Sequence, residues 1–279
     1  MRVFSEKNFD KLSEAYDILF KKDIEAFAEA QKQSKTNHAE KNYTVFYPSF
    51  GVKKKDCKFL VYGQAVKGWK PNFNAFAELN RNGFSQKLLE ESIEYSNAYH
   101  ASQNHNPLDW INIYWSNASY NNFVKTEKDR QFYEPSDFRV HRSFFWNVIY
   151  KLICEHYDLD KNSFHWSSKL VWSNLYKIAP SERENPSPQE KELQQKISLE
   201  LVRKELDEIQ PAYCIVLTNR SWWLPFQKDL KTENIPFVKN SVIESVEKYG
   251  RTTIIVTSRP FAGNSADHAG KISEVLEAV

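Results

Sequence analysis

Four short segments of this 279-residue chain combine carboxamide, hydroxyl, guanidinium and glycine in a way that suits recognition of a planar polar ligand. They are Gly63-Gln64-Ala65-Val66-Lys67-Gly68-Trp69, Ser173-Asn174-Leu175-Tyr176-Lys177, Thr218-Asn219-Arg220-Ser221 and Thr257-Ser258-Arg259-Pro260-Phe261-Ala262-Gly263-Asn264. A carboxamide such as Gln64 or Asn174 presents an acceptor beside a donor, so it matches a planar edge that carries the same pair. A guanidinium such as Arg259 stabilises an anion or holds a phosphate.

Each segment follows a β-rich run bounded by polar turns: Cys57–Tyr62, Lys169–Trp172, Tyr213–Leu217 and Thr252–Val256. Helical patterns separate the runs, at Ser143–Tyr157 and at Gln189–Ile209, the second stopped by Gln210-Pro211. Strands alternating with helices predict an α/β fold of parallel strands joined by right-handed crossovers, a three-layer α/β/α sandwich. Ligands of such sheets bind beyond the carboxyl ends of the strands, near the point where strand order reverses. The four segments stand at those ends.

Apolar residues at helical spacing between Phe9 and Gln33 predict N-terminal helices, so residues 1–50 read as a helical extension, with a polar loop at Ser34–Tyr43. Phe73–Arg139, rich in Asn and aromatic residues, reads as an insertion after the first strand, partly helical around Gln86–Tyr99. The whole chain, 1–279, reads as one domain.

Val61-Tyr-Gly-Gln-Ala-Val-Lys-Gly-Trp69 resembles the first motif of uracil-DNA glycosylases, a strand ending in Gly-Gln or Gly-Glu before an activating turn. Trp172-Ser-Asn-Leu-Tyr-Lys-Ile-Ala-Pro180 is similar to the family's second strand, with its terminal Asn. Glu205-Leu-Asp-Glu-Ile-Gln-Pro-Ala-Tyr-Cys-Ile-Val-Leu217 resembles the helix, Ile-x-Pro and third strand. Ile254-Ile-Val-Thr-Ser-Arg-Pro-Phe-Ala-Gly263 takes the place of the last strand and its His-Pro-Ser loop. Order and spacing agree over residues 55–279 apart from the insertion.

The resemblance implies a four-stranded parallel sheet in order 2-1-3-4 and a protein that binds a flipped or single-stranded nucleobase, with hydrolysis of its N-glycosidic bond in DNA repair as the associated chemistry. Such hydrolysis is chiefly electrostatic, with donors facing the departing base and a water placed at the sugar. Gln64, Asn174 and Arg259 are the catalytic candidates. Gly63, Phe144, Phe145 and Asn174 are the base-binding candidates, Asn174 reading the base edge and a phenylalanine clamping its face. Lys67, Lys177, Arg259 and Asn264 are the candidates for contact with nucleic acid. Two departures stand out: Ala65 or Val66 replaces the water-positioning Asp, and Arg259-Pro260 replaces His-Pro. The alternative is a non-catalytic protein of the same fold that recognises a free base, a modified nucleotide or a protein partner.

With 38 Lys+Arg against 36 Asp+Glu, no global field attracts a polyanion, so a nucleic-acid site must be a local patch. Large aromatics are usually core, and Trp69, Phe144, Phe145, Trp172 and the pair Trp222-Trp223 carry that reading as well as the sharper one. Three cysteines without CxxC spacing predict a reducing compartment and no structural zinc. The seven histidines lack HxxxH or HExxH spacing, and seven glycines form no phosphate loop, so neither metal nor cofactor is expected. No run approaches the ~20 apolar residues that cross a bilayer, and Met1–Lys22 lacks the apolar centre of a signal peptide. A monomer in the cytoplasm, with no membrane partner, is the expectation.

Overall fold

The computed structural model of the protein describes residues 10–33, 41–53, 56–66, 69–78, 81–98, 106–133, 135–160, 165–182 and 185–279. Its strands, in chain order, are β1 (Asn42–Val45), β2 (Ser49–Phe50), β3 (Phe59–Gly63), β4 (Asn72–Asn74), β5 (Leu170–Asn174), β6 (Ile178–Pro180), β7 (Tyr213–Val216), β8 (Glu233–Asn234), β9 (Ile243–Tyr249) and β10 (Thr252–Thr257). Seven of them form a mixed sheet in the order β2-β5-β3-β7-β10-β9-β8, and β4-β1-β6 form a separate antiparallel sheet.

The expected sheet of four parallel strands is therefore too small. Parallel neighbours β5, β3, β7 and β10 occupy the centre, where β3 and β5 are buried along their whole length. Antiparallel β2 extends one edge, and β9 with β8 the other. The hairpin joining β9 to β10 turns on Gly250-Arg251, where Gly250 adopts the left-handed φ of 54° that a two-residue turn needs. Glu247 and Lys248 obscure this strand in the sequence. The Glu247 carboxylate is buried and accepts hydrogen bonds from Trp223 Nε1 (2.9 Å), Thr232 Oγ1 (2.6 Å) and Ser245 Oγ (2.6 Å).

Alternation along the central strands sends side chains to two faces, and each face builds its own core. Leu60, Tyr62, Val171, Cys214, Val216, Ile254 and Val256 pack with the helical residues Leu12 to Ala28, with Pro188–Ile209 and with Arg220–Leu230. Phe59, Val61, Leu170, Trp172, Ile215 and Ile255 pack with Phe144–His156 and Ser265–Ala278. Trp146, Val148, Ile149, Leu152 and Ile153 line the buried side of the first of these, each such side chain contributing about 1.5–3 kcal/mol. Helix Pro188–Ile209 begins with Pro188 in its first turn and a reciprocal capping box between Ser187 and Glu190, and ends at Gln210 in a left-handed conformation.

Among the described residues, the 1–50 extension holds the helices Asp10–Ala15 and Lys21–Gln33 with a π-helical turn, Tyr16–Phe20, between them, followed by β1 and β2. Residues 34–40 of the expected loop lie outside the described residues. The expected insertion holds β4 and helices including Phe84–Ile93. It is not a separate appendage: β4 pairs with β1, and β1 with β6, so chain segments from three regions share one small sheet. No helix among the described residues is long and apolar enough to cross a membrane.

Asp23 lies 1% exposed in helix Lys21–Gln33, with Oδ2 lacking a hydrogen-bond partner among the described residues, and burial raises its pKa well above the usual carboxylate range. A raised folded pKa gives stability that is complete below the unfolded value of about 4 and declines as pH rises through the folded value. Asp23→Asn therefore melts higher than the parent protein at pH 8, and the difference shrinks toward pH 4. Thermal melts of both proteins across that range check it; a difference independent of pH would refute the buried acid.

Candidate functional site

The parallel pairing of β3 with β5 places Gly63 opposite Asn174 at the carboxyl ends of both strands. A Cβ on Gly63 would stand 2.5 Å from Asn174 Oδ1 and 3.6 Å from Phe145 Cε2, so glycine is required here for space. Asn174 is 2% exposed, and its Nδ2 has no hydrogen-bond partner among the described residues. A buried donor without an acceptor costs about 1–3 kcal/mol, which makes this amide an open valence at the strand end. Phe145 is half-buried in the first turn of helix Phe144–His156, where Ser143 accepts the Trp146 N–H at 3.4 Å. Gly63, Asn174 and Phe145 are thus brought together as the sequence suggested, whereas Phe144 is 40% exposed on the same turn.

Strand order reverses between β3 and β7, and Gln64 spans that crevice. Its Nε2 donates to the Thr218 carbonyl at 3.2 Å, and its Oε1 accepts from Asn185 Nδ2 at 3.0 Å. Both ends of the amide are committed, so Gln64 bridges two strand ends and a loop. Arg259 is exposed in the loop after β10 and has no hydrogen bond or ion pair among the described residues. With strands about 4.8 Å apart, β10 runs on the order of 14 Å from β5, so Arg259 belongs to a different part of the edge from Asn174. Asn264 leads into helix Ser265–Ala278 and accepts the Phe261 N–H on Oδ1 at 3.2 Å. Lys67 lies outside the described residues.

Lys177 is a correction. Expected at a phosphate, it is fully buried, with Nζ 2.7 Å from Glu205 Oε1 and 2.8 Å from Ser173 Oγ; it also donates to the Asn174 carbonyl and lies over the Tyr62 ring at 5.5 Å. Its three donors are all used. Glu205 in turn accepts from Tyr62 (2.6 Å), Ser173 (2.9 Å) and Tyr16. Burial pushes the Lys177 pKa down against the pull of Glu205, and burial together with the Glu205 charge pushes Tyr16 and Tyr62 up. The ammonium thus holds the backbone of Asn174 from one face of the sheet while the amide projects toward the other.

His268 also escaped the sequence reading. Its Nε2 lies 2.9 Å from Thr257 Oγ1, and the Thr257 hydroxyl donates to Ser258 O at 2.8 Å, which assigns the imidazole proton to Nε2. Nδ1 is buried without a partner among the described residues, and burial pushes the pKa down to about 4, so the ring is neutral at physiological pH. Glu205 carried a legible signal, a carboxylate in the apolar stripe Leu201, Val202, Leu206, Ile209. Asn185 and Tyr16 carried none. Among the described residues no group of three or more His, Cys, Asp or Glu could hold a metal ion. Neither a protein-family model nor a curated protein matches the chain.

Lys177→Met strips Glu205 of its counter-charge and should destabilise the fold by about 3–5 kcal/mol. Lys177→Met combined with Glu205→Gln should recover part of that loss, because no charge then remains buried. Denaturant midpoints of the single and double variants measure it, and a single variant as stable as the parent would remove the ion pair from the account.

Proposed function

We propose that the protein recognises a nucleobase, presented by single-stranded nucleic acid or flipped from a duplex, at the strand ends where Gly63, Asn174 and Phe145 meet. The observation that carries this reading is the buried Asn174 amide, whose donor is unpartnered beside a glycine that makes room for it. A carboxamide so placed pairs with a base edge, and Phe145 supplies an aromatic face for stacking. The order of the four parallel strands, β5-β3-β7-β10, and the motifs at their ends support a relationship with the uracil-DNA glycosylase fold. Exposed Arg259 suits a phosphate of the same strand. Three free, buried cysteines accord with a reducing cytoplasm.

Recognition is favoured over base removal by the residues around the amide. Half-buried Ala65 and buried Val66 offer no group to place a water, and Gln64 is engaged with Thr218 and Asn185. A glycosylase reading rests on Arg259 alone as a stabiliser of a departing base anion.

Asn174→Ala should weaken binding of base-bearing oligonucleotides roughly ten- to a hundredfold, the equivalent of one unpaired buried edge, with little change in melting temperature. Binding of the parent protein should fall steeply with salt as phosphate contacts release counterions. Fluorescence anisotropy with single-stranded oligonucleotides, at two salt concentrations, measures both. Unfolding by Asn174→Ala would make the residue a structural cap, and salt-independent binding would point to a small ligand. Alkali-labile sites in the recovered oligonucleotide would convert recognition into base removal.

A further inference from the structure

Among the described residues, several buried polar atoms without partners gather near Asn174. Six of them are Asn174 Nδ2, the indole Nε1 atoms of Trp69, Trp110 and Trp172, and the hydroxyls of Ser49 and Ser96. Trp172 precedes Asn174 by two residues on β5, so the two share a face, and Ser49 is the register partner of Trp172 on β2. The three indoles touch one another: Trp69 to Trp172 at 5.1 Å between ring centroids, Trp69 to Trp110 at 5.7 Å and Trp110 to Trp172 at 6.0 Å. Tyr95 packs edge-on against Trp69 at 4.8 Å. The next residue but one, Asn97, bonds to Phe50 N (3.0 Å) and Pro48 O (2.9 Å) on either side of Ser49, which brings Ser96 to the same neighbourhood.

Native structures satisfy buried polar groups, so a group of unsatisfied ones marks a place where something else belongs. Four of the six are N–H donors that cannot accept, and the hydroxyls can donate. The most that edge-to-face packing offers an indole N–H is an N–H···π contact, which is weaker than a hydrogen bond and leaves the donor able to take an oxygen. The missing partner is therefore an acceptor. A surface cavity of about 380 Å³ is lined by Lys70, Pro71, Asn72, Glu91, Glu94 and Tyr95. It includes both the neighbour of Trp69 and the ring that packs on it. Two carboxylates at that cavity against one ammonium disfavour entry of an anion.

We propose that Trp69, Trp110, Trp172, Ser49 and Ser96 form a donor-lined inner subsite, continuous with Asn174, that binds carbonyl oxygens of a neutral ligand or of a neutral part of a larger one. The subsite rests on the reading of Asn174 as part of a binding site, but it is read out by different groups. It selects for ligands that present several acceptors and no donor to the indoles. An amino-bearing edge would leave indole N–H groups facing N–H groups and is rejected.

The test is the indole N–H spectrum of protein labelled with nitrogen-15 tryptophan, titrated with succinimide as a neutral dicarbonyl probe and with sodium formate as an anionic one. The resonances of Trp69, Trp110 and Trp172, assigned with single Trp→Phe variants, should move downfield saturably with succinimide and not with formate. Ser49→Ala, a smaller change that keeps the titration usable if a Trp→Phe variant does not fold, should weaken succinimide binding roughly two- to tenfold, the equivalent of one neutral hydrogen bond. Response to formate alone overturns the neutral ligand class. No saturable response to either probe, or a long-lived internal water at the indoles that succinimide does not displace, overturns the subsite. Failure of oligonucleotide binding with the indole response intact would sink the nucleic-acid reading and leave the subsite standing.

Discussion

The buried Lys177–Glu205 pair is the constraint on which the arrangement of this molecule depends. Both side chains are 0% exposed, and a charged pair removed from water contributes little net stability while tolerating almost no displacement of either partner. Each oxygen and each N–H must therefore meet its bond. Those bonds draw in the N-terminal helical segment through Tyr16, β3 through Tyr62, β5 through Ser173 and helix Pro188–Ile209 through Glu205 itself. Lys177 also stands between β5 and β6, so the pair fixes where the chain leaves the large sheet and joins the small one.

One strand carries both halves of the arrangement. Ser173 turns toward the ion pair, while Trp172 and Asn174 turn toward the aromatic face beneath helix Phe144–His156. The charged network works on the backbone of Asn174, and its amide is left for other work. The aromatic side presents donors, ring faces and a neutral imidazole at His268, with no carboxylate among the partnerless groups at the strand ends of the described residues.

What was legible in the sequence followed local rules. The runs Cys57–Tyr62 and Lys169–Trp172 announce strands by their side-chain types, and Gly63 and Asn174, just beyond those runs, fall at the carboxyl ends of β3 and β5. The sequence offered Phe144 or Phe145 at the start of a strongly apolar helix, and of the two it is Phe145 that stands beside Gly63. What was not legible depends on partners remote in sequence. A lysine reads as a surface cation until Glu205, 28 positions on, is seen to meet it. Strand β9 was hidden by Glu247, a carboxylate tolerated inside only because Trp223, Thr232 and Ser245 bond to it. The β4-β1-β6 sheet joins residues 42–45, 72–74 and 178–180, and no local pattern encodes such pairing.

The hydrogen bond from Tyr16 to Glu205 spans 189 positions of chain. During synthesis, at roughly 5–20 residues per second, the helical segment carrying Leu12, Tyr16, Phe20, Ile24 and Phe27 emerges on the order of 10–40 seconds before the carboxylate it must meet. Its apolar stripe has no complete binding surface in that interval, since helix Pro188–Ile209 is also still unmade. A segment made early is thus docked late, and the nascent chain must be kept from aggregating through it.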